Sequence, residues 1–516
     1  MKTIKGLFAI LFALILVIGT LASCAQQGNP TGTTKGTENA TGGDTTAADS
    51  TPELVGLDAI LAERDKVPSS LPEGLDLNGE TITIHTRTEN YITEFIFCDY
   101  EETSDSTSRL VYERNEYVAE LLSVDLAFLK DGEWNTYNQA LSNMIASINA
   151  GDRDFDIVFC YTPAPLVLNN LCVNLAELKY LDFEKPWWNS TICQDLQING
   201  NVYLCNGDID LLMITSAYGY FFNKTLQEDY QVEDLYQVVK DGEWTIDKLR
   251  EVTLKFASGD VNGNGILESD DVFGLALEPS DGNTSDNFFE SSHMEIVEVR
   301  EDGIYLKNDA TRLIDLCQKL YDLHYNTPGV LLDTRDDNVS NFTNDQLFIW
   351  PATIGSVRGE KMREMESDYG ILPSPKYDAQ QEEYYTRVQD AVHKICVPIT
   401  AAQDAASAVM EALAMYGYKV TSPKFIENEM KIKYSRDEEG NLGNDAYCLD
   451  LIRNGTYFCF ENVYASFFDG HNYLRSMIAT KSESFASDWE SIQGKLQGQL
   501  NTVNDRLYDL DVEIEE

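Results

Sequence analysis

The stretch Tyr137–Tyr161, YNQALSNMIASINAGDRDFDIVFCY, decides how this chain is read. Tyr137, Leu141, Met144, Ile145 and Ile148 recur at the spacing that gathers apolar side chains on one face of a helix. Gly151 closes that helix, since glycine enters the left-handed conformation at a helix end without steric cost. Phe155–Cys160 follows as a short apolar run and predicts a buried strand. Upstream the same alternation recurs. Thr81–Thr86 alternates polar and apolar residues after the Asn78-Gly79 turn and predicts a strand. Ser108–Leu122, with Val111, Asn115, Val118 and Leu122 on one face, predicts a helix, and Val124–Leu129 a second strand. Strands alternating with helices imply an α/β protein with right-handed βαβ units around a largely parallel sheet.

The N-terminus reads as an export signal over residues 1–23: Lys2 and Lys5, an apolar run from Leu7 to Leu21, then small residues. Leu21-Ala22-Ser23-Cys24 resembles the lipobox of bacterial lipoproteins. That resemblance implies a diacylglycerol thioether on Cys24, and a membrane anchor of two or three acyl chains holds a protein stably. Residues 24–53, rich in Thr, Gly, Ala, Ser and Asn, are expected to be a flexible tether. No later stretch approaches the roughly 20 apolar residues needed to span a bilayer. The expected location is therefore the outer face of a bacterial cytoplasmic membrane. Lys and Arg number 38 against 86 Asp and Glu, a formal charge of -48, which repels phosphate backbones and argues against nucleic acid as a partner. Beyond Cys24, nine cysteines without C-x-x-C pairs argue against a disulfide framework or a zinc ribbon.

More specific motifs follow in order: PWWN at 186–189, NGNVYLCNGD at 199–208, FFNKTL at 221–226, GEWTIDKL at 242–249 and YGILPSPKYDAQQEEYYT at 369–386. With AGD..FDIVF at 150–159, this series resembles the extracellular solute-binding proteins of bacterial ABC transporters, in particular those of carbohydrate uptake. The resemblance runs from about Leu77 to the C-terminus. It implies a two-lobed periplasmic-binding-protein-like fold of type II, hinged about a cleft. Carried onto this chain, lobe one is expected over residues 54–207 with 346–384, and lobe two over 208–345 with 385–516. The helix Asp404–Tyr418 is expected on lobe two, and Ser491–Asp511 reads as a polar surface helix.

The same resemblance implies a monomer that captures a sugar or oligosaccharide and delivers it to transmembrane permease subunits. Sugar clefts need flat aromatic faces for pyranose C–H groups and carboxylates or amides for hydroxyls. Tyr161 follows a predicted strand at its C-terminal end, where α/β folds place ligands, and Trp350 is expected to end the Leu347–Ile349 strand in the same way. With Asp390, in a segment crossing between lobes, they are the first candidates for ligand contact. Trp187, Trp188 and Asp208 are further candidates, followed by Asp210, Phe288, Phe289 and His293.

Asp260–Asp271, DVNGNGILESDD, reads as a calcium loop at the end of the WTIDKL helix. Asp260, Asn262, Asn264, Glu268 and Asp271 occupy positions one, three, five, nine and twelve of an EF-hand-type loop, with the Ile266 carbonyl at seven and Gly265 at the sharp turn. The expected role of Ca2+ is structural. Enzyme readings lack support: there is no G-x-S-x-G elbow, P-loop, G-x-G-x-x-G or H-E-x-x-H motif, and the five histidines are scattered. A glycosidase carboxylate pair at about 5–9 Å cannot be read from sequence. The alternatives are the same fold binding a peptide or other polar solute, and a surface polysaccharide-active enzyme.

Overall fold

A computed structural model describes residues 56–89, 94–98, 105–268, 270–279, 282–332, 338–430, 443–470 and 472–508. Cys24, the signal and the tether lie outside the described residues. Strand β1 (Glu80–Thr86) buries Ile82 and Ile84, and the positive φ of Asn78 and Gly79 turns the chain into it. Helix α2 (Ser106–Leu122) starts at Asp105, whose carboxylate accepts from the Ser108 N–H, and ends at Ser123 in the left-handed conformation. Strand β2 (Val124–Lys130) and helix α3 (Tyr137–Ala150) follow, the latter closed by Gly151 at φ 80°.

Strand β3 (Ile157–Cys160) begins two residues later than the apolar run suggests. The cause is Asp156, whose carboxylate accepts from Thr83 N–H at 3.0 Å and Ala402 N–H at 2.9 Å while pairing with Arg153 at 2.6 Å. With the Asp156 N–H on the Thr83 carbonyl at 2.8 Å, these bonds fasten residue 156 to β1 just ahead of the paired strand.

Two separate sheets give the chain its two lobes. The first runs β12 (Lys394–Cys396), β3, β1, β2, with β1 parallel to β2 and β3 and β12 antiparallel to β3. The second runs β10 (Tyr369–Leu372), β4 (Tyr218–Asn223), β9 (Leu347–Thr353), β5 (Phe273–Leu277), β8 (Val330–Leu332). There β5 is parallel to β8 and β9, while β4 is antiparallel to β9 and β10.

This pairing corrects the expected lobe assignment. Residues 346–384 supply β9 and β10 to the second sheet, and the chain returns to the first only at β12. Leu347, Phe348 and Ile349 are all buried because β9 is flanked by a strand on either side and packed on both faces. Helix α6 (Gln403–Tyr416) packs on α2 and β1, so it belongs with the first sheet, not with lobe two. The C-terminal helix α8 (Phe485–Leu507) starts earlier than expected, and it is amphipathic. Phe485, Trp489, Leu496, Leu500 and Val503 are buried, and the helix lies against β7 (Gly303–Leu306). Among the described residues no helix is long and apolar enough to cross a membrane, and the eight buried cysteines are free thiols.

Candidate ligand-binding site

The C-terminal ends of the first sheet's parallel strands bring together residues that are far apart in sequence. Tyr161 follows β3, and its backbone N–H donates to the Tyr137 hydroxyl at 2.9 Å. Arg87 follows β1 in the same way. Its side chain is fully buried, and Nε–H donates to Glu89 at 3.1 Å. Its carbon Cζ lies 5.2 Å from the Tyr161 ring and 6.0 Å from that of Trp134. Trp134 sits in the loop between β2 and α3, and its backbone N–H donates to the other Glu89 oxygen at 2.7 Å. The Trp134 and Tyr161 rings are 5.0 Å apart at 49°, and Trp134 remains 57% exposed.

From the crossing segment, Asp390 presents a carboxylate that is 49% exposed and accepts from Arg387 at 2.8 Å. Lys394 donates to the Asp390 carbonyl at 3.0 Å and stands 6.0 Å from the Tyr161 ring. Burial, and then the Asp390 charge, pushes the Tyr161 phenol up to about 12, so it stays a neutral donor. Behind Asp390, Arg387 also pairs with Asp286 at 3.5 Å and Glu290 at 3.4 Å, and Arg475 meets Asp286 at 2.6 Å. Burial raises the pKa of both Asp286 and Glu290, and the arginines oppose it. Burial works against the Arg387 charge, but Asp390, Glu290, Tyr218 and Asp286 outweigh it and raise its pKa.

Two of the expected contacts, Tyr161 and Asp390, thus share one site with Arg87, Trp134 and Lys394. Sequence reasoning missed the last three, although the strand-end rule that selects Tyr161 also selects Arg87. Trp350 is elsewhere. It lies inside β9, opposite Phe221, and packs on Phe221 and Phe342, because the strand continues through Pro351 to Thr353.

Trp187, Trp188 and Asp208 line a different cavity of about 600 Å³. Both tryptophans are buried, donating their indole N–H groups to Glu411 at 3.0 and 2.7 Å. Asp208 is ion-paired with Arg453, and its N–H donates to the Trp187 carbonyl at 2.9 Å. Gly207 allows that approach, since a Cβ there would stand 2.2 Å from the Trp187 carbonyl oxygen. Phe288 and Phe289 are core residues, Asp210 is buried against His393 at 2.8 Å, and His293 stacks on Tyr385.

The Asp260–Asp271 loop gathers oxygen atoms at the end of α4 (Ile246–Thr253) and a short 3-10 turn. The Asp260 carboxylate accepts from the N–H groups of Gly263, Asn264 and Gly265 at 2.7, 3.2 and 2.6 Å. Asp271 is buried and accepts from Val261 and Glu268 at 2.8 and 2.9 Å. Gly263 and Gly265 hold φ of 73° and 72°, the left-handed values the turns require. Carboxylate oxygens of Glu268, Asp270 and Asp271 come within 4.8 Å of one another. Asn262 and Asn264 point amides at Glu268, and the Ile266 N–H donates to Asn264 at 2.7 Å. All-oxygen donor sets of this kind suit a hard cation, and an ionised carboxylate retains lone pairs beyond these backbone bonds.

No family model matches the sequence, and no curated protein matches it. Solved structures do. An uncharacterised protein of Listeria monocytogenes EGD-e aligns at TM-score 0.54 and 13% identity, over 82% of this chain and 100% of its own. A cyclo/maltodextrin-binding protein complexed with maltotetraose aligns at TM-score 0.51 and 10% identity, over 85% and 99%. The galacto-N-biose/lacto-N-biose I-binding protein of an ABC transporter of Bifidobacterium longum aligns at 0.51 and 11%, over 83% and 98%. At such identities the likeness carries the architecture alone: this chain has the two-lobed, periplasmic-binding-protein-like α/β fold.

Proposed function

We propose that this protein is the substrate-binding component of an ABC importer and captures a sugar or oligosaccharide at the strand-end site. The observation that carries the reading is the Trp134–Tyr161 ring pair flanked by Arg87, Lys394 and Asp390. Aromatic faces take pyranose C–H surfaces, and cationic donors beside a carboxylate acceptor take hydroxyls. Two structures of similar fold bind saccharides by their descriptions, which supports the same ligand class here. Closure of two lobes on a ligand requires higher affinity for the closed form, and a permease can then read the closed state. Cys24 is the proposed lipid anchor, and the Asp260–Asp271 loop the proposed structural calcium site.

Calorimetric titration of residues 54–516, which form one compact unit, against mono- and oligosaccharides tests the reading. At least one saccharide is expected to bind without being cleaved. Trp134→Ala is expected to weaken it about tenfold or more, the loss of an aromatic anchor, with little change in melting temperature because the indole is exposed. Binding of peptides alone, or release of reducing sugar, would refute it.

A further inference from the structure

The strand-end site holds a charged donor that the fold leaves unsatisfied. Arg87 is fully buried, and among the described residues neither of its terminal amino groups has a hydrogen-bond partner. A guanidinium carries five N–H donors and stays protonated, and buried charges are ordinarily paired or hydrogen-bonded. Arg114 shows the usual solution in this same lobe. Equally buried, it places Nε–H on Asn115 at 3.1 Å and its amino groups on the Ile209 and Ile96 carbonyls at 2.8 and 3.1 Å. Arg387 is likewise wrapped by Asp286, Glu290 and Asp390. Among the described residues Arg87 donates only through its Nε–H, to Glu89. The guanidinium lies beside the Tyr161 and Trp134 rings, and Trp134 is an exposed loop residue.

We propose that the saccharide captured here is acidic, and that its carboxylate or sulfate is clasped by the terminal amino groups of Arg87. The inference rests on the carbohydrate reading above and narrows it. Neutral hydroxyls each take one N–H, whereas a planar anion accepts from both amino groups at once, which is the geometry guanidinium favours. The Lys394 ammonium stands 6.0 Å from the Tyr161 ring, where burial lowers its pKa and the Asp390 charge opposes that loss. Glu89 and Asp390 are the nearby carboxylates. Glu89 is already occupied by Arg87 Nε and the Trp134 N–H, and Asp390 by Arg387. On a chain of formal charge -48, a local positive charge at Arg87 favours the approach of an anionic ligand.

The test is calorimetric titration of the whole chain in mild detergent with three sets of disaccharides. These are uronate-containing members such as digalacturonate, sulfated members, and their neutral parents such as galactobiose. An acidic member is expected to bind more tightly than its neutral parent, and added salt to weaken only the acidic one. Arg87→Met should weaken acidic binding about 30-fold or more, and Arg87→Lys, which keeps the charge without the fork, roughly tenfold. In both variants the acidic members should lose more affinity than their neutral parents, which lose only a hydroxyl contact. Melting curves without ligand check that each variant folds, and the salt dependence of the unmutated protein tests the idea if neither does. Preferential binding by only the uronates or only the sulfated members supports the proposal and identifies the anion. If neutral sugars bind and no acidic one binds better, the acidic inference falls while the carbohydrate reading stands. If no saccharide binds, both fall.

Discussion

Glu461 shows how much one buried carboxylate costs this fold. It is almost wholly buried and accepts from the Ile296 N–H at 2.8 Å, and burial pushes its carboxyl up to about 7. With a folded pKa above the unfolded value, the native state holds the proton more tightly. The folded protein is therefore favoured below pH about 4.5 and loses that advantage as pH rises towards 7. The shift corresponds to roughly 3 kcal/mol at about 1.4 kcal/mol per unit. Glu461→Gln keeps an acceptor for Ile296 and has nothing to ionise. It is expected to stabilise the protein by about 1–3 kcal/mol at pH 8 and by close to nothing at pH 4.5, measured by urea unfolding at both. An equal effect at the two pH values would show that Glu461 acts through packing alone. At this scale the sequence was only partly legible. Tyr161 could be chosen because a strand end is a local signal, and Asp390 from its place in a crossing segment. Arg87 and Trp134 gain their meaning only from each other's nearness across 47 residues of chain, which no local pattern carries.

The Asp260–Asp271 loop is an element that joins two others. It leads from the 3-10 turn after α4 into β5, and the Val272 N–H donates to the Gly259 carbonyl at 2.8 Å, closing its two ends. Gly259 is held so close to that closure that a Cβ would meet the Val272 carbonyl oxygen at 1.8 Å. A cation that binds the folded loop and not the unfolded chain stabilises the whole lobe, by about 2.7 kcal/mol at a hundredfold excess over Kd. Chelation is therefore expected to lower the melting temperature, and Asp260→Ala to abolish the calcium-dependent shift. Saccharide affinity should stay nearly unchanged, because no loop residue contributes to the Tyr161 site. A melting temperature indifferent to both calcium and chelator would remove the metal from this loop. Elements themselves were readable where periodicity is strong, as in β1, α2 and α3. The destination of β9 was not. LFIWPAT contains a proline, which removes a ladder donor and reads as a strand end, yet β9 pairs two residues beyond it. Which sheet a buried apolar run joins is a non-local choice, so residues 346–384 were expected in the wrong lobe.

At the scale of the whole molecule, charge and anchoring pull in opposite directions. The chain carries 86 acidic against 38 basic residues, so its body is repelled by an anionic lipid surface, the more strongly the lower the salt. Among the described residues there is no membrane-spanning helix to counter that repulsion. Attachment, as proposed, then rests on Cys24 alone. Its acyl chains add about 0.8 kcal/mol per buried methylene, enough with two or more chains to hold a protein the surface rejects. Basic peripheral proteins behave in the opposite way, since high salt strips them from membranes. Here Cys24→Ala is expected to move the protein from the membrane pellet to the soluble fraction at low and high salt alike. The unmutated protein should resist both salt and alkaline washes and yield only to detergent. Saccharide binding by the released variant should match that of the original, because the anchor takes no part in the strand-end site. A variant that stays in the pellet at low salt would place the attachment in the folded body, in spite of its charge.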